Sequence, residues 1–177
     1  AAGVVLSNGE EIRAARVVSS ADPQRTVLKL IGARNLDTMF VSRIRHLRMN
    51  GCAAKIHLAL DGLPAALANA AGRVIVAGKP DDIERAYDCA KYGRVSDRPA
   101  LELVIPSLGD PTMAPAGKHV ASVVAQYCPY KLKGTSAHDA RKQILERSLA
   151  VLEEVAPGLT QRVTASETLT PHDLEAQ

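Results

Sequence analysis

Between residues 53 and 60 the chain reads AAKIHLAL, in which Ala54, Ile56, Leu58 and Leu60 fall on one face of an extended strand and Ala53, Lys55, His57 and Ala59 on the other. Similar apolar runs over Arg73–Ala77, Ala100–Pro106, His119–Tyr127 and Gln161–Ser166 predict four more strands. Asp61-Gly62-Leu63-Pro64 and a small Ala-rich turn or short helix separate the first two. At the start of the chain, Asn8-Gly9 between apolar segments predicts a hairpin with a two-residue loop, because both residues tolerate positive φ.

Helical spacing fills the intervals. Asp22 is placed to cap a helix with Pro23 as its first residue, running to about Ile31 and ended by Gly32. Leu36, Phe40, Ile44 and Leu47 set a second helix over Leu36–Arg48, and Ile83, Ala86, Tyr87 and Ala90 a third that opens at Asp81 or Asp82 and ends at Gly93. The longest runs from about Ser136 to Ala156, stopped by Pro157-Gly158. Thr170-Pro-His-Asp then forms a capping box that opens a last helix. Five strands and several helices that do not strictly alternate predict an α+β fold: a mixed, largely antiparallel sheet with helices packed mainly on one face.

Composition narrows the class. With 46% hydrophobic and 23% charged residues in 177, the chain can bury a core as an ordinary globular protein. A net charge of +3 is too small to argue for nucleic acid, and only Phe40, Tyr87, Tyr92, Tyr127 and Tyr130 are aromatic, so stacking surfaces for bases are scarce. Cys52, Cys89 and Cys128 are odd in number and widely spaced, which fits neither a disulfide framework nor a zinc site and predicts a reducing, cytoplasmic setting. No apolar run approaches the roughly 18 to 20 residues of a bilayer helix.

The familiar chemical signatures are missing. No Gly-x-Gly occurs, so a dinucleotide fingerprint is absent, and Gly117-Lys118 fails as a phosphate loop because Thr112 and His119 stand where a Gly and a hydroxyl belong. The five histidines form no His-x-x-x-His pair, and no G-x-S-x-G elbow is present. Arg43, Arg45, His46 and Arg48 read as a solvated helix end whose cations suit the C-terminal dipole. Two features are candidates for substrate contact. His57 is a polar group within an apolar strand, and Gln126-Tyr-Cys-Pro-Tyr130 gathers polar-tipped side chains, Gln126, Tyr127 and Tyr130, at a strand end. Each has an alternative reading, as a hydrogen-bonded structural residue and as core packing. The stretch IPSLGDPTMAPAGKHVASVV, with three prolines in its first eleven residues, reads as a stiff connection that either shapes a pocket wall or forms an ordered surface loop.

Taken together, GVVLSNGEEIRAARVVSSADP, AYDCAKYGRVSDRPALELVIPS, IPSLGDPTMAPAGKHVASVVAQYCPYKL and TPHDLEAQ resemble the phytoene dehydrogenase-like group of FAD-dependent oxidoreductases, within the amine-oxidase-like flavoprotein superfamily. The resemblance covers almost the whole chain. It implies a substrate-binding middle portion of such an enzyme: residues 1–21 would be the terminal hairpin left from a truncated FAD-binding domain and residues 22–177 the substrate-binding domain. FAD would belong to the parent enzyme, with none expected in this fragment, which is therefore expected to be inactive alone. No cofactor-contacting or catalytic residue carries over. The implied partner is an apolar small molecule, and peripheral membrane contact of the parent and self-association through exposed interface surface are further expectations. A non-enzymatic module that holds an apolar ligand or a protein is the competing reading.

Overall fold

The chain turns back on itself at Asn8-Gly9, and β1 (Gly3–Val5) pairs antiparallel with β2 (Glu11–Arg13). The computed structural model describes residues 2–49 and 51–176 and divides into two compact units, Ala1–Met49 and Asn50–Gln177. The hairpin turn differs from the one the sequence predicts. Only Gly9 takes a positive φ, 88°, while Asn8 stays at negative φ and accepts the Glu10 N–H through its side chain at 3.0 Å. The loop is lengthened accordingly, with Gly9 N–H donating to Leu6 C=O at 3.0 Å.

After an irregular stretch that follows β2, the first unit turns helical. Asp22 accepts the Arg25 N–H at 2.8 Å, as its predicted capping role requires, and the helix it opens becomes π-helical over Arg25–Gly32 before Gly32, at φ 86°, ends it. The next helix, α1 (Thr38–Arg45), is shorter than its apolar spacing predicts because Asp37 caps it, accepting the Phe40 N–H at 3.0 Å, and leaves Leu36 extended. Gln24 Nε2 donates to the Ile44 carbonyl at 3.2 Å and so supplies one of the partners that the end of α1 lacks. Arg43, Arg45, His46 and Arg48 are exposed there, as the solvated-end reading predicts.

The second unit is an antiparallel sheet with one long helix across it. In chain order it contains β3 (Ala53–Leu60), β4 (Arg73–Val76), α2 (Pro80–Lys91), β5 (Ala100–Val104), the single turn α3 (Pro106–Gly109), β6 (His119–Gln126), α4 (Ala137–Val155), β7 (Val163–Leu169) and α5 (Pro171–Ala176). The strands lie in the order β4-β5-β6-β3-β7. The predicted α+β architecture is present, and every pairing in this sheet is antiparallel, so the parallel component of a mixed sheet does not occur among the described residues.

One face of the sheet builds the core. Ile56, Leu58 and Leu60 of β3, Leu101 and Leu103 of β5, and Ala121, Val123 and Ala125 of β6 are buried with Ala140, Ile144, Val151 and Leu152 of α4. Small residues at 0% exposure, Ala54 on the sheet and Ala140 on the helix, let the two layers approach, while each fully buried Ile or Leu stabilises by about 1.5–3 kcal/mol. Ser136 opens α4 by accepting the Asp139 N–H at 3.0 Å. Among the described residues no helix is long and apolar enough to cross a membrane.

The short helix α5 is held by polar contacts instead. Asp173 accepts the Thr170 N–H at 2.8 Å and Thr170 Oγ1–H at 2.7 Å, completing the predicted capping box, and Arg141 of α4 grips the same carboxylate through Nε at 3.0 Å and a second guanidinium nitrogen. The Arg141 guanidinium and these donors hold the Asp173 carboxyl well below the usual carboxylate range.

Two measurements test this account. Ser148 Oγ is buried in the α4 layer with no hydrogen-bond partner among the described residues, so Ser148→Ala is expected to leave stability unchanged or raise it slightly, whereas Ile144→Ala is expected to cost about 2–5 kcal/mol. Urea unfolding that ranks the two the other way would contradict the packing described. Asp173, with its native pKa depressed, contributes stability that is fully present above its unfolded value of about 4 and is lost as pH falls further. Asp173→Asn is therefore expected to lower stability at pH 7 by about 1 kcal/mol or more and to flatten its decline below pH 4; an unaltered pH profile of the thermal midpoint would refute the role given to this carboxylate.

Candidate functional site

The side chains of β3 that do not enter the core point to the opposite face of the sheet, where His57 is exposed and Ala59 partly so. Antiparallel register carries this alternation across three strands. Ala59 stands between Val120 of β6 and Ala165 of β7, and His57 between Ser122 of β6 and Glu167 of β7. One row is apolar and the next is polar.

Over these two rows lies an open cavity of about 600 Å³, whose wall on one side is formed by Pro106 and Met113. That wall is the Pro-rich connection between β5 and β6, which winds through α3 and a further single turn at Pro111–Met113. Its position is fixed by hydrogen bonds. Ser107 Oγ, buried, accepts the Val120 N–H at 3.2 Å and lies 3.0 Å from His119 Nδ1, while Asp110 accepts the Thr112 N–H at 3.0 Å. With the Val120 amide occupying one lone pair, the Ser107 hydroxyl is free to donate to the imidazole nitrogen. Pro106 and Met113 thus border the cavity, while residues 109–118 are mostly exposed, so both readings of this stretch stay open.

The sequence candidates occupy three different places. His57 is on the floor of the cavity. Gln126 shares the sheet face but pairs with Ala53 and Ala100, four residues beyond Ser122 along β6 and thus about 13 Å away. It borders a smaller recess of about 260 Å³ with Tyr127, Ile75 and Ile83. The Tyr127 ring meets Tyr87 of α2 edge-on at 5.1 Å, an aromatic packing contact. Tyr130 lies elsewhere again, in a recess of about 370 Å³ beside Lys91, Lys131 and Lys133, and its hydroxyl donates to Glu175 of α5 while its ring approaches His172. Pro129 turns the chain so that neighbours in sequence acquire different neighbours in space.

The thiols near this end of the sheet are not activated. Cys128 N–H donates to the Cys52 carbonyl at 2.7 Å, and burial pushes the Cys128 thiol up to about 12 and that of Cys52 upward as well. Neither is poised as a nucleophile at neutral pH. The polar groups placed for work on a ligand are therefore Ser122, His57 and Glu167. Only His57 is visible as a candidate in the sequence, because the register that sets Ser122 and Glu167 beside it joins strands far apart in the chain. The sole local signal is that each is polar within a strand.

No protein-family model matches the chain. It is 40% identical, over 98% of its own length, to the pyridine nucleotide-disulfide oxidoreductase domain-containing protein 2 of Rattus norvegicus, and 38% identical over 99% of its length to the protein of the same name from Mus musculus. The matched part is 32% of each relative, so the chain spans about a third of the length of the curated relatives it matches. Nearly the whole of this chain, including all three strands under the cavity, is thus homologous to a portion of proteins named for an oxidoreductase domain.

Proposed function

We propose that the chain is the substrate-binding portion of an FAD-dependent oxidoreductase of the phytoene dehydrogenase-like group, with a largely apolar substrate lying over the open face of the sheet. The observation that carries this reading is the cavity of about 600 Å³ floored by Val120, Ala59 and Ala165 and walled by Pro106 and Met113. An apolar concavity on a rigid sheet, with a few polar groups in it, is how small-molecule sites are built. The names of the relatives support an oxidoreductase, and the resemblance of the Pro-rich stretch supports the narrower group.

The residues present do not fit FAD itself. Its pyrophosphate needs a helix N-terminus behind a Gly-rich turn or a cationic clamp, and the cavity lining holds neither Lys nor Arg but does hold Glu167. Its phosphates are accordingly assigned to other parts of a parent protein, to whose FAD-binding domain the β1–β2 hairpin would belong. The exposed Val5, Val18 and Leu30 of the first unit are proposed to be covered there.

Two experiments test the reading. The purified chain alone is expected to be colourless after incubation with FAD, and a tight yellow complex would refute the assignment of flavin contacts elsewhere. In the parent protein, Ala59→Trp is expected to fill the cavity and lower turnover of an apolar substrate about tenfold or more with flavin content unchanged. Undiminished turnover would remove the cavity from the reaction.

A further inference from the structure

The cavity floor changes chemistry from one cross-strand row to the next. Beside the apolar row of Val120, Ala59 and Ala165, the row Ser122, His57 and Glu167 sets a hydroxyl, an imidazole and a carboxylate side by side on one face. Directly opposed residues have Cβ atoms about 5 Å apart, so one polar atom of a ligand can be reached from two of the three.

The row is also open to a ligand, with His57 and Glu167 exposed and Ser122 half-buried. The neighbouring Ser107 and His119 are engaged with each other at 3.0 Å, whereas Ser122, His57 and Glu167 have no side-chain hydrogen bond or ion pair among the described residues. Glu167 is the one Asp, Glu, Lys or Arg among the described lining residues. Cations stand nearby but are placed differently: Lys55 belongs to the next row, between Val124 and Leu169, and Lys118 faces Asp61 at 3.9 Å. A carboxylate only accepts hydrogen bonds, whereas a neutral imidazole offers one acceptor nitrogen and one N–H donor and a hydroxyl can accept or donate. Acceptors are therefore present at all three residues, and the carboxylate is the one group of the row that cannot donate.

We infer that Ser122, His57 and Glu167 form a specificity site for a hydrogen-bond-donating head group, a hydroxyl or an ammonium, on a ligand whose apolar body lies over Val120, Ala59 and Ala165. This rests on the reading of the cavity as the substrate site and adds that the substrate is not purely apolar. A carboxylate head is disfavoured, because Glu167 meets it with like charge. Head groups that only accept can be met by Ser122 or His57 and are disfavoured only in leaving the Glu167 carboxylate without a ligand donor.

The test uses four probes of one chain length: 1-octanol, octylammonium, octanoate and methyl octanoate, titrated into the chain by calorimetry or ligand-observed NMR. Octanol and octylammonium are expected to bind about two- to fivefold more tightly than the two acceptor-only probes, the size of effect a solvent-exposed contact to a charged group supplies. Glu167→Gln is expected to remove the discrimination against octanoate and weaken octylammonium, while His57→Leu weakens octanol. Each variant is first shown by circular dichroism to be folded. A preference for octylammonium over octanol identifies the carboxylate charge as the dominant recognition, and equal binding of the two identifies the shared hydrogen bonding. If all four probes bind equally and Ala59→Trp blocks them all, the specificity row is refuted while the cavity stands. If none binds, or Ala59→Trp changes nothing, both readings fall.

Discussion

The antiparallel register between β3 and β6 decides both faces of the sheet at once. Ile56 opposite Val123 and Leu58 opposite Ala121 are core pairs, and His57 opposite Ser122 and Ala59 opposite Val120 are the intervening pairs on the other face. A slip of one residue in β3 would turn Lys55 and His57 into the layer beneath α4 and bring Ile56 and Leu58 out to water. Burying those polar groups without partners would cost several kcal/mol in addition to the lost apolar burial. The core therefore enforces the geometry of the cavity floor, even though no core residue contributes a side chain to its chemistry.

That division of labour explains why polar contacts gather at the margins. The ion pairs Arg73–Glu102 and Arg98–Glu154 are largely exposed, and exposed pairs contribute little. The more enclosed ones fix elements that the core cannot reach: Arg141 and Thr170 on Asp173 place α5, and Ser107 on Val120 places the cavity wall. Arg147 does the same for the segment before β5, donating to the Val95 carbonyl at 2.8 Å. Just past the C-terminal end of α2, Gly93 at φ 78° lies against Lys131 and Lys133 so closely that a Cβ would meet the Lys133 side chain at 2.8 Å. Backbone shape and single hydrogen bonds thus hold the periphery, and apolar burial holds the sheet.

Where periodicity was strong and local, the sequence was an adequate guide. AAKIHLAL is β3 to the residue, α4 lies within the predicted Ser136–Ala156, and the Thr170-Pro-His-Asp box closes with the predicted hydrogen bonds. The departures have local physical causes that pattern does not report. Asn8 prefers its own side-chain bond to a left-handed backbone, and Asp37 captures the start of α1. The site was half legible for a different reason. A polar residue in an apolar strand singles out His57, but the identity of its cross-strand neighbours depends on pairing with segments far along the chain. Gln126, Tyr127 and Tyr130 share the opposite problem: adjacency in sequence suggested one pocket, and the turn at Pro129 separates Tyr130 from the recess that Gln126 and Tyr127 border.

An apolar ligand on a flat sheet has no preferred register along its own length. Dispersion and burial are non-directional and vary little when a hydrocarbon chain slides by one carbon. A reaction that removes hydrogen from one carbon requires that carbon to be held to within about an ångström, since misplacement of that size costs about a hundredfold. A rigid wall limits motion across the sheet, which is what Pro106 and Met113 supply. Motion along the cavity needs one directional contact, and in the proposed site the row of Ser122, His57 and Glu167 is placed to provide it. The combination of an apolar row with a neighbouring polar row is therefore a way to fix position while tolerating variation in the rest of the ligand.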